Sequence, residues 1–419
     1  MRAVEGPRLA RRLGLGDAVV LGLGSMIGAG VFAAFTPAAA AAGAGLLVGL
    51  GLAALVAWAN ATSSAQLAAQ YPESGGAYVY GRERLGDAWG FAAGWCFVVG
   101  KTASCAAMAL TAATYALGGE ARAAQALAMV IVAAMSWVIL RGISKTARLA
   151  RVLLAVTLVA LLGTLVVVVV ANRSWQSPVA GASDGGVTAY GVLQAAGLLF
   201  FAFAGYARIA TLGEEVRDPA RVIPLAITRA LGLVVVLYGL VALVLLATIG
   251  PAGIAADPLP LQAAAERAGV AWVSVLLRAG ATVAAMGSLL GLLAGVGRTT
   301  FAMARHGDLP RALAVVDART QVPATAQLVI AAAVLALGLL TDLRHAIGFS
   351  SFGVLLYYAI ANAAAWTQEP AHRRWPRLVQ AGGLVGCLVL AATLPWGSVL
   401  AGLVVVAAGL VGRRLLTGR

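Results

Sequence analysis

The sequence has 419 residues, of which 61% are hydrophobic and 11% are charged, and its formal net charge is +14. Ordinary globular chains contain roughly 45–50% apolar and about 25% charged residues, so this chain has too little polar surface to cover a water-soluble domain. The net charge does not indicate nucleic-acid binding, because the arginines stand in short clusters between apolar runs, as they do in the loops of membrane proteins.

Twelve apolar segments follow one another along the chain. Because an apolar helix needs about 20 residues to cross the hydrocarbon core of a bilayer, the sequence predicts an all-α polytopic membrane protein of about twelve transmembrane helices. The polar connections are short, so residues 1–419 are interpreted as a single membrane domain. The predicted spans are 15–42, 45–69, 88–116, 122–140, 149–171, 190–213, 224–249, 271–299, 323–341, 343–366, 378–394 and 396–412.

Lysines and arginines are distributed unequally between the two sides that twelve spans define. If both termini are cytoplasmic, 23 of these residues lie in cytoplasmic segments and 4 lie in outside loops. Cytoplasmic loops of membrane proteins carry such an excess. The distribution therefore predicts a multi-pass protein of the cytoplasmic (inner) membrane with cytoplasmic N- and C-termini. The four outside residues are Arg122, Arg173, Arg267 and Arg344.

The first and sixth spans each contain an interruption that a continuous membrane helix rarely carries. Residues 22–30 include four glycines, and Gly205 stands among aromatic and small residues at 200–206. Glycine weakens a helix, and unwound backbone survives at membrane depth only where it lines a cavity or a ligand. Interrupted spans at matching positions in two halves of a chain indicate the central site of a transporter. Close packing of helices through small residues is the alternative interpretation.

Four stretches of the sequence carry a family resemblance. Gly-Ser-Met-Ile-Gly-Ala-Gly-Val-Phe at residues 24–32 resembles the first-helix signature of the amino acid–polyamine–organocation (APC) permeases. Three further stretches agree with that family in order and spacing, and the four together cover residues 14 to about 325. These three are 71–78, 214–219 with 223–224, and 303–310.

The resemblance implies both a fold and an activity. The fold is an inverted five-plus-five repeat, with 13–171 as the first repeat, 190–366 as the second, and accessory helices 11 and 12 at 378–412. Helices 1 and 6 are expected to be discontinuous. The implied activity is secondary active transport of amino acids or related amines by alternating access.

The resemblance also implies a substrate site at the two interruptions. The amides of Ala29 and Gly30 are expected to receive a substrate carboxylate, and the N-terminal end of a half-helix suits an anion on physical grounds. The carbonyls of Met26, Phe201 and Ala204 are expected to receive its amino group, with the Phe201 ring as an aromatic gate. The predicted substrate-binding residues are Ser25, Met26, Ile27, Gly28, Ala29, Gly30, Phe201, Phe203, Ala204, Gly205 and Tyr206.

Lys101 lies near the centre of the third span, whereas the 16 acidic residues fall in loops or at span ends. An ionisable residue at membrane depth is costly and is a functional hypothesis by default. Lys101 must be neutral, or paired with backbone carbonyls, water or substrate. It is interpreted as a fixed or titratable cation in coupling or substrate binding, with a purely structural lysine as the alternative.

Two family positions depart from their pattern. A span-five lysine that replaces a sodium ion in some relatives corresponds to Thr157, and the span-six glutamate of acid-resistance antiporters corresponds to Ala207. Their proton mechanisms therefore do not transfer, and Lys101 and Thr157 remain the coupling candidates. Arg208 and Arg278 are interpreted as structural.

The sequence favours a neutral amino acid as the substrate, because no carboxylate is predicted near the membrane centre. Proton-coupled symport and exchange both fit, and sodium coupling stays open because Thr157 does not supply the fixed charge that would replace the ion. The alternatives are a permease or exchanger for polyamines or cationic amino acids, and a transport-inactive membrane sensor with the same fold. No catalytic triad, metal-ligand cluster or phosphate-binding loop is found, so neither an enzyme nor a cofactor nor a metal is expected. The expected partners are a small-molecule substrate, protons and the lipid bilayer.

Overall fold

The computed structural model describes residues 13–72, 75–141, 146–177, 187–210, 216–317 and 319–417. Within these ranges the regular elements are helices. The α-helices are α1 (Leu15–Met26), α2 (Ala29–Ala33), α3 (Phe35–Ala42), α4 (Leu46–Gln70), α5 (Ala77–Leu85), α6 (Asp87–Leu117), α7 (Ala121–Leu140), α8 (Thr146–Ala171), α9 (Ala189–Phe203), α10 (Ala207–Ala210), α11 (Pro219–Thr248), α12 (Gly250–Ala256), α13 (Pro260–Arg267), α14 (Val273–Arg305), α15 (Ala324–Leu340), α16 (Leu343–Trp366), α17 (Arg377–Thr393) and α18 (Trp396–Thr417).

The structure confirms an all-α polytopic membrane protein. Ten helical stretches among the described residues are long and apolar enough to cross a membrane, and α15 and α17 are shorter apolar helices. Span one consists of α1 to α3 and span six of α9 and α10. The inverted relation between the two repeats stays a prediction. The family stretches at 73–74 and 214–215, and residues 142–145 before the fifth span, lie outside the described residues.

Small residues bring α6 into the centre of the helical bundle. A Cβ added to Gly100 of α6 would lie 3.1 Å from the Ser350 carbonyl oxygen and 3.2 Å from the Gly353 Cα of α16. Such distances are tighter than most Cβ contacts, and close approach through small residues is usual where membrane helices pack together. Large apolar side chains such as Val170 and Leu55 are instead exposed on the outer surface, where a bilayer would solvate them.

The bundle has two ends, which are named here by their short helices. At the α5 end, α5 meets the C-terminal ends of α14 and α18, and side-chain bonds to Asp308 join them. At the α13 end, α6 ends beside the beginning of α14, and α12 and α13 lie in the connection from α11 to α14. The sequence predicts these three short helices only as loops.

Candidate functional site

Span one is broken where the sequence predicts it. The helix α1 ends at Met26 and α2 begins at Ala29, and the two residues between them leave the helical region, with Ile27 at φ −81°, ψ 71° and Gly28 at φ −133°, ψ −136°. The amides of the first turn of a helix have no partner within that helix. Ala29 and Gly30 stand in that turn, and both are buried.

Span six changes helix type instead of becoming extended. The helix α9 ends at Phe203, a 3-10 turn follows at Ala204–Tyr206, and α10 continues from Ala207. The sequence predicts unwinding at Gly205, and the structure shows the milder change. A 3-10 turn tightens the helix and redirects its carbonyl groups, so the polar backbone of this segment is still interrupted at membrane depth.

The two breaks pack against each other through glycines. A Cβ on Gly205 would overlap the carbonyl oxygen of Ser25, and a Cβ on Gly30 would lie 2.5 Å from the Ala202 Cα. Real Cβ atoms do not approach backbone this closely. The glycines therefore serve the contact between the spans as well as the breaks, so the close-packing interpretation and the broken-helix interpretation both hold here.

A cavity of about 480 Å³ extends from the breaks to the α5 end. Its deep part is formed by polar and aromatic groups from spans one, three and six, and its mouth by basic and aromatic side chains of α5 and α14. Arg305 and His306 at the mouth are exposed. The deep residues are Ser25, Lys101, Ser104, Phe201, Ala204 and Gly205, and those at the mouth include Tyr78, Arg298, Arg305 and His306.

The cavity brings together part of the predicted site. Ser25, Phe201, Ala204, Gly205 and the coupling candidate Lys101 line it. The other predicted residues are buried beside it and are not among the lining residues. They are Met26, Ile27, Gly28, Ala29, Gly30, Phe203 and Tyr206.

Packing explains why two predicted aromatic residues do not reach the cavity. The Phe203 ring packs 5.1 Å from the ring of Tyr238, and the Tyr206 ring stacks 5.0 Å from that of Tyr358. Phe201, two residues before Phe203 on α9, faces the cavity. Among the predicted aromatic residues of span six, the structure thus places the expected gate at the cavity and uses the other two as core.

Lys101 is buried and donates a hydrogen bond from Nζ to the Ala204 carbonyl oxygen at 3.1 Å. The Tyr358 hydroxyl lies 3.4 Å from the same oxygen. None of the described residues that line the cavity is an aspartate or a glutamate. The Lys101 amino group is therefore held by a main-chain carbonyl of the 3-10 turn in span six.

Thr157 lies apart from this group. Its side chain is fully buried in α8 and its hydroxyl donates to the Leu153 carbonyl of the same helix at 2.8 Å. It is not among the residues that line the cavity. A threonine bonded to the preceding helical turn has a sufficient structural role, and the structure does not bring it together with Lys101.

Tyr238 contacts both breaks, and the sequence does not indicate this. Its hydroxyl lies 2.6 Å from the Met26 carbonyl oxygen and 3.1 Å from that of Ala202, so one buried phenol on α11 ties both breaks together. The Met26 carbonyl also accepts from the Gly28 amide at 2.9 Å. A single tyrosine in an apolar span gives no periodic signal, and only the fold reveals this contact.

The α13 end is sealed by bonds to main-chain carbonyls. The Tyr115 hydroxyl of α6 donates to the Phe32 carbonyl of α2 at 3.2 Å, and the two rings meet edge to face at 5.4 Å. Arg278 of α14 donates to the carbonyls of Tyr115 and Ala116 at 2.9 and 2.8 Å. These bonds join spans one, three and eight on the side of the breaks away from the cavity mouth.

At the α5 end a buried carboxylate joins three helices. Asp308 accepts from the Tyr78 hydroxyl of α5 at 2.8 Å and from Arg413 of α18 at 3.1 Å, and Arg82 of α5 lies 3.3 Å away. Burial, followed by the hydrogen bond to the Asp308 carboxylate, raises the pKa of the Tyr78 phenol well above its usual value. Tyr78 therefore stays a neutral donor at the cavity mouth.

Comparisons with known proteins agree with this architecture. A family model described as amino acid permease matches residues 13–412. An uncharacterized transporter of Mycobacterium tuberculosis is 57% identical over 98% of this chain and 93% of its own length. The branched-chain amino acid permease BcaP of Bacillus subtilis is 28% identical over 96% of this chain and 92% of its own length. Cationic amino acid transporter 4 of Homo sapiens is 28% identical over 84% of this chain and 58% of its own length.

Proposed function

Because this chain belongs to the amino acid permease family, within the APC superfamily, we propose that it moves a neutral amino acid across the cytoplasmic membrane by alternating access. Family membership makes it a multi-pass membrane transporter and not an enzyme. The substrate, the coupling ion and the orientation are the parts that the proposal adds.

One observation carries the substrate class. Lys101 lines the deep cavity, and the described lining residues contribute no carboxylate. A cationic substrate about 4 Å from a charged lysine would be repelled by about 4 kcal/mol at the effective dielectric constant of protein interiors. A zwitterion carries a carboxylate that offsets this repulsion. The deep cavity therefore favours a neutral amino acid over a polyamine or a cationic amino acid.

The breaks offer groups for both ends of a zwitterion. The amides of Ala29 and Gly30 stand at the beginning of a half-helix, where the helix dipole favours a carboxylate. The carbonyls of Met26, Phe201 and Ala204 suit an ammonium group. In the present conformation Tyr238 donates to the Met26 carbonyl and Lys101 to that of Ala204, so substrate binding requires a rearrangement of these donors.

The charge distribution orients the proposed transporter. The α5 end carries the basic loops, and the positive-inside rule assigns such loops to the cytoplasm. The cavity then opens inward and the α13 end is sealed outward. Protons are the proposed coupling ion, in symport or exchange, with Lys101 as the coupling group. Thr157 supplies no fixed charge in place of a sodium ion.

The test is uptake by proteoliposomes of a panel of radiolabelled amino acids and polyamines, with and without a pH gradient. We expect uptake of L-leucine or L-alanine that responds to the gradient, and none in protein-free vesicles. Preferential uptake of L-arginine or putrescine would establish a cationic substrate instead. Some relatives of this chain are named cationic amino acid transporters. Binding of an amino acid by thermal shift without any uptake would establish a sensor.

A further inference from the structure

Lys101 occupies an acceptor that the proposed substrate needs. Its Nζ lies 3.1 Å from the Ala204 carbonyl oxygen, which is one of the three carbonyls proposed for the amino group of the substrate. A lysine ammonium and the α-ammonium of an amino acid are the same chemical group, each with three N–H donors. The Ala204 oxygen has two lone pairs, and the Tyr358 hydroxyl already lies 3.4 Å from it. A substrate ammonium that binds this oxygen therefore takes the place of Lys101.

The part of the cavity lining that the structure describes offers Lys101 no negative charge to hold it once it is displaced. The described residues that line the cavity include no carboxylate, and the nearby titratable and charged groups are neutral donors or cations. They are Cys105 on α6 itself, Tyr358 on α16, Arg208 on α10, Arg298 and Arg305 on α14, His306 after it, and Tyr78 on α5. A displaced ammonium would face the cationic amino group that replaced it.

We propose that Lys101 is a tethered stand-in for the substrate amino group, and that an amino acid which binds at Ala204 displaces Lys101 and releases its proton. One N–H bond of the lysine breaks, the electron pair stays on Nζ, and the proton leaves to water through the cavity. The amino group of the substrate keeps its own protons. This inference rests on the proposed function and assigns the coupling within it.

Two consequences follow for transport. A substrate must carry a free α-amino group, because an N-acylated amino acid or a 2-oxo acid cannot take the place of the lysine ammonium at a carbonyl. Substrate and proton also move in opposite directions, since the lysine binds a proton again only where the substrate has left. An inward proton gradient therefore drives the amino acid outward, which selects exchange over symport.

The first test observes the lysine itself. Lys101 and Lys145 are the two lysines of the sequence, so protein labelled with 13C at lysine Cε and carrying Lys145→Arg has one lysine side-chain signal. At a fixed pH we expect L-leucine to move this signal towards the position of the neutral amine. N-acetyl-L-leucine is the matched control and should leave it in place. A signal that does not respond to bound L-leucine overturns the inference.

The second test measures the pH dependence of L-leucine affinity. Release of one proton makes the apparent Kd of the wild type fall about tenfold for each unit of rising pH while Lys101 is charged. Lys101→Met should bind L-leucine without this slope and without releasing a proton to a dye in weak buffer. Lys101→Arg keeps a permanent cation at the carbonyl, so we expect weak binding at every pH.

The outcomes separate the inference from the function. If the wild type transports L-leucine and Lys101→Met shows the same pH slope and proton release, the inference is wrong and the transport function stands. If the wild type neither binds nor transports any neutral amino acid, the proposed function fails and the inference with it. Should Lys101→Met not fold, the labelled Lys145→Arg protein still decides the question.

Discussion

The helices at the two ends of this transporter are held together by different kinds of contact. At the α13 end, side chains donate to main-chain carbonyls, with Tyr115 bonded to Phe32 and Arg278 bonded to the last turn of α6. At the α5 end, side chains bond to one another around Asp308, which is 2% exposed. The cavity reaches the α5 end and not the sealed end.

The difference bears on which contacts a transport cycle can break. The bonds at the α13 end cross between α2, α6 and α14, so they must open if a path forms there. The last carbonyls of a helix carry partial negative charge that an arginine stabilises, yet each bond is also open to replacement by water. The Asp308 cluster instead ties α5, the end of α14 and α18 to one another beside an already open cavity. We therefore expect the bonds at the α13 end to determine the populations of the open and closed conformations. The Asp308 cluster is expected to determine the stability of the fold.

Gly205 lies between the two ends, and its substitution should have the largest effect. In Gly205→Ala the new Cβ would overlap the Ser25 carbonyl, so the contact between spans one and six must separate. We expect loss of proteoliposome transport and a fall in the free energy of unfolding of about 1–3 kcal/mol. Gly163→Ala is the control, because a Cβ there meets nothing within 4 Å in α8. Transport by Gly205→Ala at the wild-type rate would show that the two breaks do not pack in the working protein.

Asp308→Asn tests the α5 end and should have the next largest effect. Asn keeps the shape but leaves Arg82 and Arg413 without the buried carboxylate between them, which should cost about 2–4 kcal/mol of folding free energy. Chemical unfolding in mixed micelles measures this cost. Asp317→Asn removes the same charge from the same loop at an exposed position, and it should lower the free energy of unfolding much less than Asp308→Asn does. Equal losses of stability in the two variants would mean that the Asp308 cluster stabilises the fold no more than an exposed carboxylate does.

The sequence alone locates the parts of this site that depend on local chemistry. The glycines at 22–30 predict the break, which the structure places between Met26 and Ala29, because backbone preference is local. The twelve apolar runs likewise predict the helical spans, because burial in lipid requires a minimum length. Lys101 is recognisable because a charge in an apolar run is conspicuous.

The sequence does not show which distant residues contact one another in the fold. Tyr238 is 212 residues from Met26 and Asp308 is 230 residues from Tyr78, and no pattern in either segment specifies the other. The choice of the Ala204 carbonyl as the acceptor for Lys101 depends on where spans three and six cross. Gly205 in the 3-10 turn of span six likewise packs against the backbone of Ser25, a contact between segments that lie far apart in the sequence.

Arg278→Ala tests the α13 end. The variant removes two hydrogen bonds that the charged Arg278 side chain donates to α6 carbonyls. Because water replaces part of this interaction, we expect roughly a tenfold rise in the population that is open at this end. The measurement is the rate at which an impermeant maleimide labels Thr111→Cys, a buried position one turn before Tyr115 on α6, in a protein whose native cysteines are also buried. Arg267→Ala removes an exposed arginine at the same end and should leave the rate unchanged. A labelling rate in Arg278→Ala equal to that of the control would assign the seal to other contacts.

We expect the smallest effect at Asp342, a carboxylate at the α13 end that can be compared with Asp308 at the α5 end. Its side chain accepts from the His345 amide at 2.8 Å and caps α16. Burial alone would raise the pKa of this carboxyl, but the hydrogen bonds from His345 and the charges of His345 and Arg344 outweigh it, so the pKa is lowered. A lowered pKa in the folded state gives stability that is present above the unfolded pKa and is lost as the pH falls through the folded pKa.

Asp342→Asn keeps a capping oxygen and loses only the charge, and the side chain is 64% exposed, so solvent screening reduces the effect to about 0.5 kcal/mol near neutral pH. The difference from wild type should shrink as the pH falls, in unfolding titrations at a series of pH values. Glu120→Gln is the control, because Glu120 stands at the beginning of α7 at the same end without a side-chain cap bond. A difference in stability between Asp342→Asn and wild type that does not change with pH would mean that the cap acts through geometry alone. A loss of stability as large as that of Asp308→Asn would remove the contrast between the two ends.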